Sequence, residues 1–283
     1  MPDSVVPTLA IVGGGASGTL VAIHALAQAR APLAVVLVEA RPEVGRGVAY
    51  ATAHALHRLN VPAGKMSAFP DAPADFLEWL RSGPMPEATA ATFAPRGLFG
   101  RYLAEALAGA AHAAAPGVTL RVIHDTAAAV EPSGAVRLAS GETVQAARVV
   151  LALGQTTAGA LPALTGLNSD ILVADPWAPG ALGGVGGRVL LVGTGLTMLD
   201  VALALAAAGA GPMTAVSRRG LVPHGHAPAA AGSPAEAPPV QGLAATLRRV
   251  RAATDWRTAV DALRPTTAER WRQTAGGCPV FGP

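Results

Sequence analysis

Apolar residues in this chain fall into short continuous runs and helical stripes that alternate in a strand–helix–strand order. Residues 8–13 (TLAIVG) form an apolar run of strand length, residues 17–29 carry apolar groups at helical spacing, and 33–39 (LAVVLVE) form a second run. A strand in a parallel sheet reads this way, because crossover helices bury both of its faces. The periodicity next predicts helices over 74–81 and 98–114, with Arg101 and Tyr102 near the start of the second. From 118 to 153 the pattern changes to short β segments broken at Pro132-Ser133-Gly134 and Ser140-Gly141. That predicts a three-stranded meander followed by a buried strand over 149–154. Residues 155–187, rich in Gly, Pro and Ala, predict a linker, and a second strand–turn–helix–strand unit follows at 188–217. Beyond it the pattern predicts a Pro/Ala-rich loop over 227–239 and helix over 242–274 with its arginines on the solvated face.

The two strand–turn–helix units share glycine-rich turns and differ in what closes the next strand. In the first, Gly13, Gly15 and Gly18 follow a β run and open a helix, and the following strand closes in Glu39. In the second, Gly193 and Gly195 are present, Met198 stands where a third glycine would fall, and the next strand closes in Ser217-Arg218-Arg219. Free N–H groups and the helix dipole make each helix start a site for a pyrophosphate. A carboxylate at the next strand end accepts hydrogen bonds from two free ribose hydroxyls, whereas arginines suit a 2′-phosphate. The expected ligands are therefore two different dinucleotides, FAD and NADPH. The plain alternatives are a tight turn without a ligand, a second unit that has lost its ligand, and an ordinary solvated arginine pair.

Composition narrows the remaining options. Hydrophobic residues make up 51% of the 283-residue chain and charged residues 14%, which suits folded domains and excludes a disordered one. The net charge is +3 with arginines in small groups, so nucleic acid is not expected as a partner. No apolar stretch is long enough to predict a membrane span, and the N-terminus lacks a signal peptide's basic region. The single cysteine, Cys278, allows no internal disulfide and no redox-active cysteine pair, and points to a cytoplasmic setting. Pro223-His224-Gly225-His226 has no cysteine or second acidic group at ligand spacing, so no metal is expected. Gly15-Ala16-Ser17-Gly18 lacks a nucleophile elbow's spacing, which removes hydrolase chemistry.

The strings IVGGGASG, Val38-Glu39-Ala40, GRGVAYAT and LNVPAGKMS, then ADPW, LLVGTGLTMLD and SRRGLVPHGH, occur in that order. Together they resemble the FAD/NAD(P)-binding proteins with an HpyO/CreE-type dinucleotide domain, over about residues 8 to 272. The resemblance implies a flavoprotein related to class B-like monooxygenases, in which NADPH reduces FAD and oxygen is then activated to oxygenate a small substrate such as an amine. It implies that Gly13, Gly15, Ala16, Ser17 and Gly18, with Glu39 and Ala40, hold FAD. Asn60 and Met66 would lie near the flavin ring, Arg101 near the cofactor, and Gly154 where the chain leaves the flavin domain. Gly193, Gly195, Thr197, Arg218 and Arg219 would hold NADPH. No side chain is singled out as a catalytic acid or base.

The expected architecture is α/β, with two Rossmann-like domains. An FAD domain over 1–165 carries a helical insertion and a β-meander, and an NAD(P)H domain with C-terminal helices covers 166–283. The closing residues Gly276 to Pro283 do not resemble the family's continuation, so the expectation is a C-terminally shortened chain with weak flavin retention. A non-catalytic dinucleotide-binding remnant and a simple reductase serving a partner protein are the alternative readings.

Overall fold

The computed structural model describes residues 6–154, 166–167, 171–178, 180–223, 225 and 243–254. His224 and His226, the loop 227–239, the distal part of the 242–274 helix and the tail with Cys278 lie outside the described residues. Most of the linker's first half, 155–165, lies outside them as well. The chain divides into two compact units, Met1–His224 and Gly225–Pro283. In the second unit, α6 (Leu243–Ala252) is a helix on which Arg248, Arg249 and Arg251 are exposed. No helix among the described residues is long and apolar enough to cross a membrane.

The first unit is built on a four-stranded parallel sheet. Its strands are β1 (Thr8–Val12), β2 (Leu33–Val38), β3 (Val118–Ile123) and β7 (Arg148–Leu151), in the spatial order β3-β2-β1-β7. Helix α1 (Ala16–Gln28) is the crossover between β1 and β2. Successive side chains in a strand point to opposite faces. Ile11, Val35 and Leu37 accordingly join a core with Ala22, Ile23 and Leu26 of α1 and with Phe99, Leu103 and Leu107. Ala10, Val12, Val36 and Val38 face the other way, against Val136, Leu138 and Val144. Both faces of β1 and β2 are buried, as their unbroken apolar runs require.

Between β2 and β3 lies the helical insertion: α2 (Gly47–Tyr50), a 3₁₀ turn (Ala63–Lys65), α3 (Asp75–Ser82) and α4 (Arg96–His112). Asp75 and Glu78 in the first turn of α3 match the positive end of its dipole. Phe76, Phe99 and Tyr102 join α3 to α4, with ring centroids 5.0–5.6 Å apart. The Tyr102 hydroxyl donates to Asp75 Oδ2 at 2.5 Å and accepts the Ala68 N–H at 2.9 Å. Burial first, and the bond to Asp75 second, push its pKa up to about 12.

Two expectations need correction. Residues 118–123 do not begin the meander; they pair in parallel with β2, from Leu33↔Val118 to Val38↔Ile123. The meander is β4 (Ala127–Val130), β5 (Ala135–Leu138) and β6 (Thr143–Gln145). The 118–130 stretch carries no strong turn signal, so two strands in different sheets read as one. The strand expected to be buried, β7, is at the sheet edge, with Leu151 60% exposed. Its apolar run resembles that of a central strand, and sequence alone cannot say which strand stands outermost.

The second unit of sequence pattern forms β8 (Val189–Val192), α5 (Leu196–Ala207) and β9 (Met213–Val216), with β8 and β9 parallel. It belongs to the same compact unit as the first sheet.

Candidate dinucleotide-binding site

At the first turn, each glycine has its own reason. Gly13 ends β1 at φ +101°, in the left-handed region, and a Cβ there would run into the Ala152 carbonyl. A Cβ at Gly18 would collide with the Gly13 carbonyl, so α1 lies against the strand end only because residue 18 has no side chain. Gly15 differs: its φ is −65°, and an added Cβ would meet only Gly47, at an ordinary 3.4 Å. The protein's own packing does not require glycine there. The backbone there is left open to close approach by a ligand. Gly15 caps α1 without a side-chain hydrogen bond, and the first turn has no acidic residue, so its N–H groups can serve an anion. Ser17 is exposed and Ala16 half-buried at this end.

Glu39 is tied to this turn. Its Oε2 accepts the Gly14 N–H at 2.7 Å and its Oε1 the Arg41 N–H at 2.9 Å, with the residue 8% exposed. An ionised carboxylate has four lone-pair positions, so two accepted bonds leave room for ribose hydroxyls. Ala40 is exposed beside it. The Gly45 N–H donates to the Gly14 carbonyl at 2.8 Å and to Thr19 Oγ1 at 3.0 Å, which clips the Gly45-Arg46-Gly47 loop onto the turn. Arg46, Arg101, Glu43 and His124 line a hollow of about 280 Å³ where β2 and β3 end. Arg101 is paired there with Glu105 at 3.2 Å and sits over the Trp79 ring. Gly154, at φ +70°, is exposed two residues beyond Ala152.

The second turn repeats the backbone geometry. The Gly193 N–H donates to Val216 O at 2.8 Å, as Gly13 does to Val38 O at 2.8 Å, and Gly193 has φ +113°. An added Cβ at Gly193 or Gly195 would meet nothing within 4 Å, so this turn is more open than the first. Thr197 is exposed at the start of α5, and Met198 takes the place of the third glycine. Ser217 stands after β9 where Glu39 stands after β2, and Arg218 and Arg219 are exposed one and two positions beyond it.

Residues 10–156 match the family model described as FAD-NAD(P)-binding. The chain belongs to the FAD-NAD(P)-binding family. The match covers the first turn, Glu39, the helical insertion and the meander. No curated protein matches the chain. Similar solved structures include a flavin-containing monooxygenase from Stenotrophomonas maltophilia, at 21% identity and TM-score 0.44, covering 75% of this chain and 58% of that one. Another is a lysine monooxygenase from Nocardia farcinica, at 18% identity and TM-score 0.49, covering 74% of this chain and 56% of that one. This FAD-NAD(P)-binding chain thus spans under two thirds of the length of those proteins.

The residues at the first turn fit FAD. An uncapped helix start, a backbone left open at Gly15 and a carboxylate fixed by Gly14 are what a pyrophosphate and an adjoining ribose need. The structure therefore brings Gly13, Gly15, Ala16, Ser17, Gly18 and Glu39 together, with Arg101 at the adjoining hollow. Asn60 and Met66 lie on a separate segment around the 3₁₀ turn, Asn60 exposed and Met66 packed against the core. That segment is braced: Leu59, Ala63 and Gly64 donate to the carbonyls of Ala94, Thr92 and Ala90 at 2.8–3.0 Å.

Sequence reasoning missed a buried polar group joining this segment to α5. His57 Nε2 donates to the Asp200 carbonyl at 3.0 Å, and Thr52 Oγ1 donates to His57 Nδ1 at 2.7 Å. A carbonyl can only accept, so Nε2 carries a proton. His57 is 5% exposed, stacked on His54 and edge-on to Trp177. Burial first, and His54 and Arg96 besides, lower its pKa against the opposing pull of Asp200. Arg96 Nη1 stands 2.8 Å from Asp200 Oδ2, which makes no directional hydrogen bond. The oxygen is compensated by charge alone, and removing Arg96 would cost about 3–5 kcal/mol through the buried charge it leaves. Tyr50 is raised by burial, with Arg96 pulling the other way. The signal available in sequence was Trp177 and Asp200, each inside one of the strings that carry the resemblance.

Proposed function

We propose that this chain is an FAD-dependent oxidoreductase that takes hydride from NADPH, of the monooxygenase type. The observation that carries the reading is the pair of glycine turns in one compact unit, whose next strands end in a pinned carboxylate and in two exposed arginines. When bound, FAD would accept hydride from NADPH and pass the electrons to oxygen or another acceptor. The chain's own part is binding and orientation. Gly15 to Gly18 offer N–H groups to the FAD pyrophosphate, and Glu39 accepts from its ribose. Gly193, Gly195 and Thr197 offer the second helix start, and Arg218 and Arg219 meet a 2′-phosphate that NADH lacks. In this reading residues 1–165 serve FAD and 166–283 serve the nicotinamide. The substrate is a small molecule, an amine among the candidates, and the setting is the cytoplasm.

The test is NADPH oxidation by FAD-loaded protein in air, with and without small amines, and mass analysis of the products. An oxygenated amine supports the monooxygenase reading. NADPH oxidation that needs an added electron carrier, with no oxygenated product, would replace it with a reductase. Protein that takes up no FAD would remove both.

A further inference from the structure

The unit formed by β8, α5 and β9 covers little of its own apolar surface. Leu190 is 61% exposed, Val192 52% and Leu203 42%, while α5 buries Asp200, Val201 and Leu205. One of these three anchors is a carboxylate, an expensive residue to bury where an apolar one would pack. Asp200 lies five residues past Gly195, about 7.5 Å along the helix from the turn offered to NADPH. Its partners come from the flavin side. Arg96 is the first residue of α4, its N–H donates to His57 O at 2.8 Å and its Nε to Arg58 O at 2.8 Å. His57 begins the segment that carries Asn60 and Met66. A single buried cluster therefore touches the helix of one turn and the segment assigned to the flavin ring, 143 residues apart in sequence.

We propose that Asp200, held by Arg96 and His57, is a positioning residue that fixes the second glycine turn relative to the 57–66 segment and so sets the hydride-transfer geometry. The inference rests on the two-dinucleotide reading and adds to it a specific mechanical link. In the cluster Asp200 and His57 are engaged by protein groups, by Arg96, Thr52 and each other. Their effect is on alignment, and a misplacement of about 1 Å costs on the order of a hundredfold in rate.

The test compares wild type with Asp200→Asn, which keeps the side-chain shape and the backbone carbonyl used by His57. Flavin content and NADPH affinity should stay within about twofold, while the anaerobic rate of flavin reduction falls at least about tenfold. Arg96→Lys, which keeps the charge facing Asp200, should lose less of that rate than Asp200→Asn does. Amide exchange on the full chain supplies a readout without turnover: residues 57–66 and 196–203 should lose protection together in Asp200→Asn. If Asp200→Asn unfolds, the paired variant Arg96→Met with Asp200→Leu, which buries no charge, carries the same comparison. A reduction rate within about twofold of wild type, or a loss matched by lost flavin, overturns the proposal. Loosening confined to 196–203 overturns it too. A wild type whose flavin NADPH never reduces would refute the function instead, and the exchange measurement would still decide the link.

Discussion

Glu39 Oε2 accepts the Gly14 N–H at 2.7 Å, so the end of β2 and the glycine turn of β1 form one rigid piece. Glu39→Ala removes that acceptor and leaves a buried N–H unsatisfied, at about 1–3 kcal/mol of stability. On the proposed reading it also removes charge-assisted hydrogen bonds to the FAD ribose, which would be worth about 1.5–3 kcal/mol, or roughly ten- to a hundredfold in FAD affinity. Glu39→Gln should retain more of both. Titration of flavin-free protein with FAD, beside thermal unfolding, separates the two effects, and an unchanged FAD constant in Glu39→Ala would contradict the ribose assignment.

The glycines of the first turn should respond differently. Gly18→Ala places a methyl against the Gly13 carbonyl and should destabilise the fold whether or not FAD is present. The Cβ of Gly15→Val would meet only Gly47, and the variant should stay folded while losing its yellow colour. Circular dichroism and flavin content on the two variants check the contrast. Normal flavin content in Gly15→Val would remove the pyrophosphate from this turn.

The first βαβ unit was fully legible because β1 and β2 are buried on both faces and α1 on one, so burial and pattern agree. Glu39 was legible for the same reason, standing at the end of an unmistakable strand. The edge position of β7 and the membership of β3 in the parallel sheet were not, since pairing partners are set by contacts distant in sequence. The Asp200 cluster was invisible for that reason too. A polar residue in a helical stripe reads as solvated until its partner, 104 positions earlier at Arg96, is brought beside it.

Arg218 and Arg219 are exposed just past β9, and the proposed function gives them the 2′-phosphate of NADPH. The double change Arg218→Ala with Arg219→Ala should raise the apparent constant for NADPH roughly ten- to a hundredfold and leave that for NADH almost unchanged. Added salt should mimic part of the effect, because an exposed phosphate contact is screened. Equal weakening toward both nicotinamides would assign the arginines to the fold.

Acid should loosen the His57 cluster. His57 is held neutral by burial, with His54 and Arg96 facing it and only Asp200 favouring the charged form. Its folded pKa lies below the ordinary value of about 6.5, so in that window the unfolded chain binds more protons and stability rises with pH. The contribution is complete above about pH 6.5 and is lost as pH falls through the lower folded value. His57→Gln should flatten that part of the curve of unfolding temperature against pH. A variant curve parallel to wild type would show that His57 does not titrate on unfolding.

The central claim is that two dinucleotides meet on this chain, and anaerobic addition of NADPH to the FAD-loaded protein tests it most directly. The account predicts that the visible flavin band bleaches with NADPH and much more slowly with NADH at the same concentration. A protein that binds FAD but stays yellow in excess NADPH, or that reacts faster with NADH, would contradict it.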